Sequence, residues 1–132
     1  MNKNIYFSDL FCGAGGMTLG FLKAGLKPAL VSDNWEKSEI NFRLNNKLKK
    51  IKFLKSDLSQ KKNIKLISKL LKNIDILAGG PPCQGFSTMG KRKTNDKRNS
   101  LVDSFIEIIE LSRPKVVVME NVPGLRSMKR KN

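Results

Sequence analysis

Cys83 is the residue of this sequence with the clearest chemical potential, and it follows two prolines in the run Gly80-Pro81-Pro82-Cys83-Gln84. A cysteine thiolate is a strong nucleophile, and the prolines restrict the backbone enough to hold a thiol in one place. The chain has no histidine, which excludes Cys-His and Ser-His catalysis and histidine-ligated metal sites. A buried structural cysteine is the ordinary alternative. That alternative suits Cys12, embedded beside a glycine-rich turn, better than Cys83 on a polar turn.

The glycine-rich turn itself is a second chemical feature, in the run Asp9-Leu10-Phe11-Cys12-Gly13-Ala14-Gly15-Gly16. Glycines let a backbone approach a ligand closely, and the N-terminus of a following helix offers free N–H groups. Asp33 follows the next strand-like run, where an acid can bind ribose hydroxyls, with Asn34 the next candidate. Trp35 could stack on a purine, and Asp57 could accept from an adenine amino group. Each feature alone has a structural explanation, but together they favour a nucleoside-cofactor crevice.

Glu120 is the third candidate, in the run Glu120-Asn121-Val122 after a final strand-like run. Ligands in open parallel sheets bind outside the carboxyl ends of the strands, where Cys83 and Glu120 would share one crevice. A helix-capping or salt-bridging glutamate is the alternative interpretation.

The elements that must position these residues alternate between β-branched runs and helical patterns, which predicts a parallel α/β sheet of about five strands. A basic amphipathic helix from about residue 61 should bury Ile64, Ile67, Leu70 and Leu71 and expose its lysines to solvent. Residues 84–99 are predicted to form a long polar loop. A capping box at Ser100 and Asp103 predicts the start of a last helix. The strands are predicted at 5–11, 29–32, 51–54, 74–78 and 116–119, and the other helices at 17–24 and 36–46.

The composition indicates which partners and which cellular compartment suit this chemistry. The 132 residues carry a net charge of +15, which favours a polyanionic partner, although a lysine-rich chain can also be merely well solvated. Two cysteines far apart suggest free thiols, and no metal site is expected. No apolar run reaches the ~20 residues of a membrane helix, and no signal region precedes the first strand. We therefore expect one cytoplasmic domain without a membrane association.

Three runs carry a family resemblance: DLFCGAGG, GGPPCQGFS and MENV, in this order and at these spacings, resemble the DNA (cytosine-5) methyltransferase family. GPPCQ-x-FS is the most diagnostic of them. The match covers about Ile5 to Leu125. The resemblance implies an incomplete Rossmann-like class I S-adenosylmethionine-dependent methyltransferase fold. It also implies methyl transfer to C5 of cytosine in double-stranded DNA, as in bacterial-type restriction-modification systems.

The resemblance also implies roles for individual residues. Cys83 would attack C6 of a flipped cytosine, and Glu120 would hold its N3 and supply a proton. The family usually has Glu in the second segment, and counting from Gly25 puts Asp33 at that acid position, with Trp35 displaced by one residue. The implied S-adenosylmethionine pocket comprises Phe11, Gly13, Gly15, Gly16, Asp33, Trp35, Asp57, Leu58, Pro81 and Leu101. The implied DNA contacts are Gln84, Ser87, Lys91, Arg92, Lys93 and Arg98.

The later family segments have no counterpart here, including the Gln-x-Arg-x-Arg element, the target-recognition domain and the closing Gly-Asn motif. Residues 1–132 would then be the N-terminal part of a catalytic domain. One subunit of a split enzyme completed by a complementary polypeptide, a truncated product and an inactive remnant all stay open. Two rival functions also stay open: an RNA (tRNA) cytosine-5 methyltransferase, and a non-catalytic protein that binds cofactor or DNA.

Overall fold

The computed structural model describes residues 4–82 and 99–121. Strands and helices alternate along these ranges, as the hydrophobic pattern predicts. Their bounds are β1 (Tyr6–Leu10), α1 (Gly16–Lys23), β2 (Lys27–Asp33), α2 (Glu36–Leu44), β3 (Phe53–Lys55), α3 (Lys61–Leu70), β4 (Ile76–Gly79), α4 (Asn99–Ser112) and β5 (Val116–Met119).

The strands form one sheet in the order β3-β2-β1-β4-β5, and every neighbouring pair is parallel. The α/β prediction of about five mostly parallel strands is therefore confirmed. Because β1 lies in the middle, the chain winds outward through β2 to β3 and then returns to β4 on the other side of β1. The carboxyl ends of β1 and β4 thus flank the point where the winding direction reverses, which is the usual ligand position in such sheets.

Two apolar clusters cover the two faces of the sheet. On one face, Leu10 of β1 and Leu77 of β4 pack with residues of α3 and α4, including the fully buried Ile67 and Phe105. On the other face, a cluster around Val31 and α2 includes Phe42, Leu48 and Cys12, and Leu19 and Leu22 of α1 pack against it. β1 serves both faces, because alternate side chains point to opposite sides of a strand.

The amphipathic pattern of α3 is confirmed for three of its four predicted core residues. Ile64, Ile67 and Leu71 are buried, whereas Leu70 is 47% exposed. The lysines expected on the solvent side are exposed: Lys61, Lys62, Lys65, Lys69 and Lys72. Ile64, Ile67 and Leu71 share one face at spacings of three and four residues, whereas Leu70 is turned about 100° from Leu71 around the helix and so points toward solvent.

Element boundaries differ from the sequence prediction mainly at strand ends. β2 begins at Lys27, and β3 covers only Phe53–Lys55. α4 begins at Asn99, so Ser100 lies inside the helix and not at the position before it. It ends at Ser112, before Arg113, whose φ of 54° is left-handed and leads into Pro114. The predicted loop at 84–99 lies outside the described residues up to position 98.

β5 is the edge of the described sheet and is exposed along its whole length. Val116, Val117, Val118 and Met119 are 36% to 50% exposed. A continuous apolar run is the pattern of a strand that is covered on both faces in a parallel sheet. β5 therefore exposes apolar side chains on both faces of the described sheet. The backbone along its outer edge could form hydrogen bonds with a further strand.

The contact between Gly79 and Phe105 gives the first testable prediction. A Cβ placed on Gly79 would lie 2.7 Å from Phe105 Cε2 and 3.1 Å from the Leu10 carbonyl oxygen. We expect Gly79→Ala to lower the free energy of unfolding by about 1–3 kcal/mol, because an overpacked core must shift α4 or strain the ring. Thermal and urea unfolding would measure the change.

The matched control is Gly20→Ala, since a Cβ at Gly20 meets no atom within 4 Å and the residue is inside α1. It should leave stability unchanged or raise it by up to about 1 kcal/mol through helix propensity. Equal stability of Gly79→Ala and the wild type would show that the α4 contact is not a constraint on the end of β4.

Candidate active site

A cavity of about 470 Å³ lies at the carboxyl ends of the strands. Residues that follow each of the first four strands contribute to its wall, and α4 closes it from the side. The apolar part of the wall comes from Phe11, Trp35, Leu58, Pro82 and Leu101. The remaining lining residues are Gly13, Asp33, Asn34, Ser38, Ser56, Asp57 and Gly80. The volume lies within the range of small-molecule and cofactor sites.

The glycine turn after β1 has an unusual backbone. Phe11, Gly13 and Gly15 have positive φ values of 60°, 53° and 89°. A non-glycine residue in this region is uncommon and stores strain of order 1 kcal/mol, of the kind that collects at binding sites. The left-handed Phe11 lines the cavity, and its ring makes an edge contact with Phe105, with centroids 6.3 Å apart.

The three glycines expected at the cofactor have different surroundings. Gly13 lines the cavity, whereas Gly15 and Gly16 are not among the lining residues. A Cβ on Gly15 would lie 2.6–2.7 Å from side-chain atoms of Leu48 and Phe42. Gly15 therefore lets the turn pack on the core, a role that its sequence context did not distinguish from ligand contact. Gly16 begins α1 and has open space around it.

Asp33 is the last residue of β2 and connects the turn after β1 to the turn after β2 by hydrogen bonds. Its Oδ2 accepts a hydrogen bond from the Gly13 N–H at 2.9 Å, and its Oδ1 accepts one from the Trp35 N–H at 2.8 Å. Trp35 is the residue before α2, lines the cavity and is 62% exposed. The predicted acid and aromatic residues thus share the cavity.

Asp57 lies in the turn between β3 and α3. Its Oδ1 accepts from the Ser59 N–H at 2.9 Å and from the Ser59 hydroxyl at 2.7 Å. These bonds lower the pKa of Asp57, so its carboxylate stays ionised at neutral pH. The neighbouring Leu58 is buried and contributes its apolar side chain to the cavity wall.

The turn after β4 stands beside the end of β5. The Glu120 N–H donates to the Gly79 carbonyl at 3.0 Å, and a Cβ on Gly80 would lie 3.3 Å from Glu120 Oε2. The Glu120 carboxylate therefore lies over the backbone of Gly80, next to the turn that leads to position 83. The side-chain amide of Asn121 donates to the Pro81 carbonyl at 3.2 Å.

Pro81, which was expected in the pocket wall, is buried and does not line the cavity; Pro82 takes that place. The physical reason is the hydrogen bond from Asn121, which holds the Pro81 carbonyl toward β5. Cys83 and the residues expected at DNA lie outside the described residues: Gln84, Ser87, Lys91, Arg92, Lys93 and Arg98.

Four lining residues were not expected from the sequence: Ser38, Ser56, Gly80 and Pro82. Ser56 and Gly80 are neighbours of predicted residues in the same turns, so the spacing of strand ends could have indicated them. Ser38 lies in the first turn of α2 and is buried against the cavity. Only the packing of α2 on the sheet decides that position.

Beneath the glycine turn lies a buried pair of titratable groups. Asp9 is fully buried and accepts a hydrogen bond from the Thr18 hydroxyl at 2.6 Å. Burial raises the pKa of Asp9 to about 6, because loss of solvation outweighs the bonds from Thr18, and the charge of Asp33 adds to the rise. Burial, together with the charges of Asp9 and Asp33, raises the pKa of the Cys12 thiol well above its ordinary value. Cys12 is therefore a protonated, unreactive thiol, as the sequence interpretation expected.

Within 4–82 and 99–121, His, Cys, Asp and Glu nowhere gather in a group of at least three that could hold a metal ion. Over the same ranges, no helix has the length and apolar character to cross a bilayer.

Comparison with known proteins identifies the family. A family model for the C-5 cytosine-specific DNA methylase matches residues 5–132, and this chain belongs to that family. The fold is the Rossmann-like fold of S-adenosylmethionine-dependent methyltransferases. The crystal structure of an E. coli DNA modification methyltransferase encoded within a prophage superposes with a TM-score of 0.72 at 31% identity, over 92% of this chain and 33% of that one.

Among curated relatives, the type II methyltransferase M.AgeI of Thalassovita gelatinovora is 37% identical over 124 residues. That match covers 91% of this chain but 28% of M.AgeI. The type II methyltransferase M.HgiGI of Herpetosiphon aurantiacus is 35% identical, over 92% of this chain and 93% of its own length. The chain thus spans less than two fifths of M.AgeI and the E. coli protein, and nearly all of M.HgiGI.

The raised pKa of Asp9 predicts a specific pH dependence of stability. The folded-state pKa of about 6 exceeds the ordinary value of 3.8, so protonated Asp9 stabilises the folded state relative to the unfolded one. This contribution to the free energy of unfolding is complete below pH 3.8 and is lost as the pH rises through 6. Asp9→Asn keeps an oxygen acceptor for Thr18 and removes the charge. We expect its stability relative to the wild type to rise by about 2 kcal/mol between pH 4 and pH 7.

Urea unfolding at a series of pH values measures this difference. Glu36→Gln, which removes an exposed carboxylate from the first turn of α2, controls for the change in net charge. A pH-independent difference between Asp9→Asn and the wild type would contradict the assignment of a buried, destabilising carboxylate.

Proposed function

We propose that this chain forms the cofactor-binding and nucleophile-bearing part of an enzyme that methylates C5 of cytosine in DNA. The observation that carries the proposal is the meeting of three features at one edge of the sheet. The cavity opens at the ends of β1, β2 and β3, the Pro-Pro turn leads from it to Cys83, and Glu120 stands over that turn. Membership of the family supports the same reaction.

The residues present fit S-adenosylmethionine, which supplies an electrophilic methyl group when it is bound. Trp35 and Leu58 offer apolar surface to the adenine, and the ionised Asp57 can accept from its amino group. Gly13 brings the backbone close to the ligand without a side chain. Polar groups at the end of β2 are available to the ribose. The cavity thus combines an apolar wall with a few placed polar groups, as cofactor sites do.

Cys83 is proposed as the nucleophile. Its thiolate forms a bond to C6 of the cytosine, and the electron pair of the C5–C6 double bond then makes C5 nucleophilic toward the methyl group. After methyl transfer, which would leave S-adenosylhomocysteine, water removes the C5 proton and the N3 proton returns to Glu120. The C5–C6 double bond then re-forms and Cys83 leaves as the thiolate. The reactive form is the thiolate, so proton removal must precede or accompany the attack. The contrast with Cys12 supports this choice, because burial keeps Cys12 protonated.

Glu120 is proposed to hold the cytosine at N3 and to donate a proton there as Cys83 adds to C6. Protonation at N3 neutralises the charge that the addition places on the ring, which is general acid catalysis. The position of its carboxylate over Gly80, exposed at the end of β5, supports this role. Asn121 acts as a positioning residue, since its side-chain amide donates a hydrogen bond to the Pro81 carbonyl and so links the ends of β4 and β5.

Double-stranded DNA is the proposed substrate, and its target base must be flipped out because Cys83 cannot reach a base inside the stack. The basic residues that follow Cys83 would contact the DNA backbone, which positions the enzyme without specifying sequence. These are Lys91, Arg92, Lys93 and Arg98, with Gln84 and Ser87 nearer the nucleophile. The net charge of +15 supports a polyanionic substrate.

The setting proposed is a cytoplasmic restriction-modification system, with a complementary polypeptide that carries the later family motifs. The apolar exposure of β5 on both faces supports a covering layer beyond the described sheet. An RNA cytosine-5 methyltransferase is the second candidate, since it shares the Pro-Pro-Cys-Gln turn. Methyl transfer to duplex DNA and to tRNA by the completed enzyme would separate the two.

The nucleophile gives the direct test of this function. In the completed enzyme, Cys83→Ser should abolish methyl transfer and covalent trapping by duplex DNA that contains 5-fluorocytosine. Cys12→Ser is the matched control and should retain both, because Cys12 is buried away from solvent. Undiminished trapping by Cys83→Ser would refute the nucleophile assignment.

A Glu120→Gln variant separates proton donation from folding. It keeps the size of the side chain and should reduce turnover at least about 100-fold, the range of general acid catalysis, while cofactor affinity changes little. Turnover at the wild-type rate would exclude Glu120 as the proton donor.

The exposed β5 predicts how the chain behaves alone. An apolar β-branched edge without charge or proline is an aggregation hazard, so the isolated 132-residue chain should be poorly soluble and inactive. Co-expression with a polypeptide that carries the missing motifs should restore solubility and methyl transfer. A purified monomeric chain that methylates duplex DNA by itself would contradict this prediction.

A further inference from the structure

A second cleft lies between the second half of α3 and the last turn of α4. It has a volume of about 300 Å³ and is lined by Lys65, Ser68, Lys69, Lys72 and Leu111. Because α3 joins the parallel strands β3 and β4, it runs back from the carboxyl edge of the sheet toward the amino edge. The second cleft therefore lies toward the end of the sheet opposite the cavity, and the two share no lining residue.

The three lysines of the second cleft carry positive charges that the protein does not balance. Lys65 and Lys69 are four residues apart in α3, and Lys72 follows three residues later in the turn after it. Like charges at these spacings lie on one face of a helix and destabilise it. At the start of the helix, Lys61 forms an ion pair with Glu107. Among the described residues, no carboxylate forms such a pair with the three lysines of the second cleft.

Ser68 is the other unusual feature of the second cleft. The residue is only 4% exposed, and its hydroxyl has no hydrogen-bond partner among the residues that the structure describes. Ser112 in α4 differs, because its hydroxyl donates to the Ile108 carbonyl at 2.7 Å. A buried hydroxyl without a partner costs free energy, which a ligand with acceptor oxygens would offset.

We infer that the second cleft binds a phosphate group. A phosphate brings negative charge to the three lysines and offers an acceptor oxygen to the Ser68 hydroxyl, so one ligand satisfies both features. Its source is either the backbone of a polynucleotide or a small free phosphate, which present the same oxygens. Three of the lysines expected only to face solvent thus belong to a binding site. The inference does not depend on methyl transfer, because the second cleft is separate from the cavity.

Sodium pyrophosphate is the small probe for this site. It is titrated at constant ionic strength into the full chain, together with the completing polypeptide where that is needed for solubility. Binding to the folded state should raise the midpoint of thermal unfolding as the probe concentration rises. Lys69→Gln should weaken pyrophosphate binding about threefold to tenfold, the range of one net hydrogen bond. Lys62→Gln is the matched control, since it removes the same charge from the same helix outside the second cleft, and it should change the affinity little.

A Ser68→Ala variant separates ligand binding from folding. Removal of a buried hydroxyl that has no partner should leave the free energy of unfolding unchanged or raise it, while the affinity for pyrophosphate falls. Lower stability with an unchanged affinity would instead assign Ser68 a structural role and contradict its place in the site.

A duplex that contains only A·T pairs is the polynucleotide probe, because it offers phosphates but no target cytosine. Its affinity is measured by fluorescence anisotropy over a range of salt concentrations. If a backbone phosphate occupies the second cleft, Lys69→Gln should reduce the slope of log K against log salt by about 0.9, and Lys62→Gln should not. Pyrophosphate binding that depends on Lys69, without a change in this slope, would assign the site to a small free phosphate. Equal pyrophosphate affinities and equal salt slopes for the wild type, Lys69→Gln and Ser68→Ala would overturn the inference.

Discussion

The parallel alignment of all the described strands is the constraint on which the rest of this structure depends. Parallel neighbours cannot be joined by tight hairpins, so each connection must cross the sheet, and the crossings supply the helices that cover it. The same alignment brings every carboxyl end to one edge. Residues that are far apart in sequence, such as Gly13, Asp33, Asp57 and Gly80, therefore line a single cavity.

Close packing at two glycines fixes the shape of that edge. Gly15 allows the turn after β1 to rest on Phe42 and Leu48, and Gly79 allows Phe105 to rest on the end of β4. Both contacts lie behind the cavity and not in it. Two glycines of the family runs thus serve the packing of the interior, since a Cβ at either position would push a helix away from the sheet.

Hydrogen bonds between neighbouring strand ends then orient the polar groups. Asp33 joins the turns after β1 and β2, and Asn121 joins the turns after β4 and β5. Burial raises the pKa of the Cys12 thiol, which makes Cys12 a poor nucleophile. Hydrogen bonds within the protein thus organise the cavity, and Asn34 and Trp35 in its wall remain exposed.

The hydrophobic pattern by itself determined the order and type of the elements, because buried parallel strands and amphipathic helices have distinct periods. The family runs indicated that the turns after β1 and β4 belong to a site, and residues of both turns line the cavity. Tertiary packing alone decided which side chains enter the cavity. Pro82 and not Pro81 faces it because Asn121 pulls the Pro81 carbonyl toward β5, and Gly15 turns inward because α2 packs against it. The engagement of both Asp33 oxygens was equally invisible in the sequence, since its partners are backbone N–H groups whose positions depend on the folded turns.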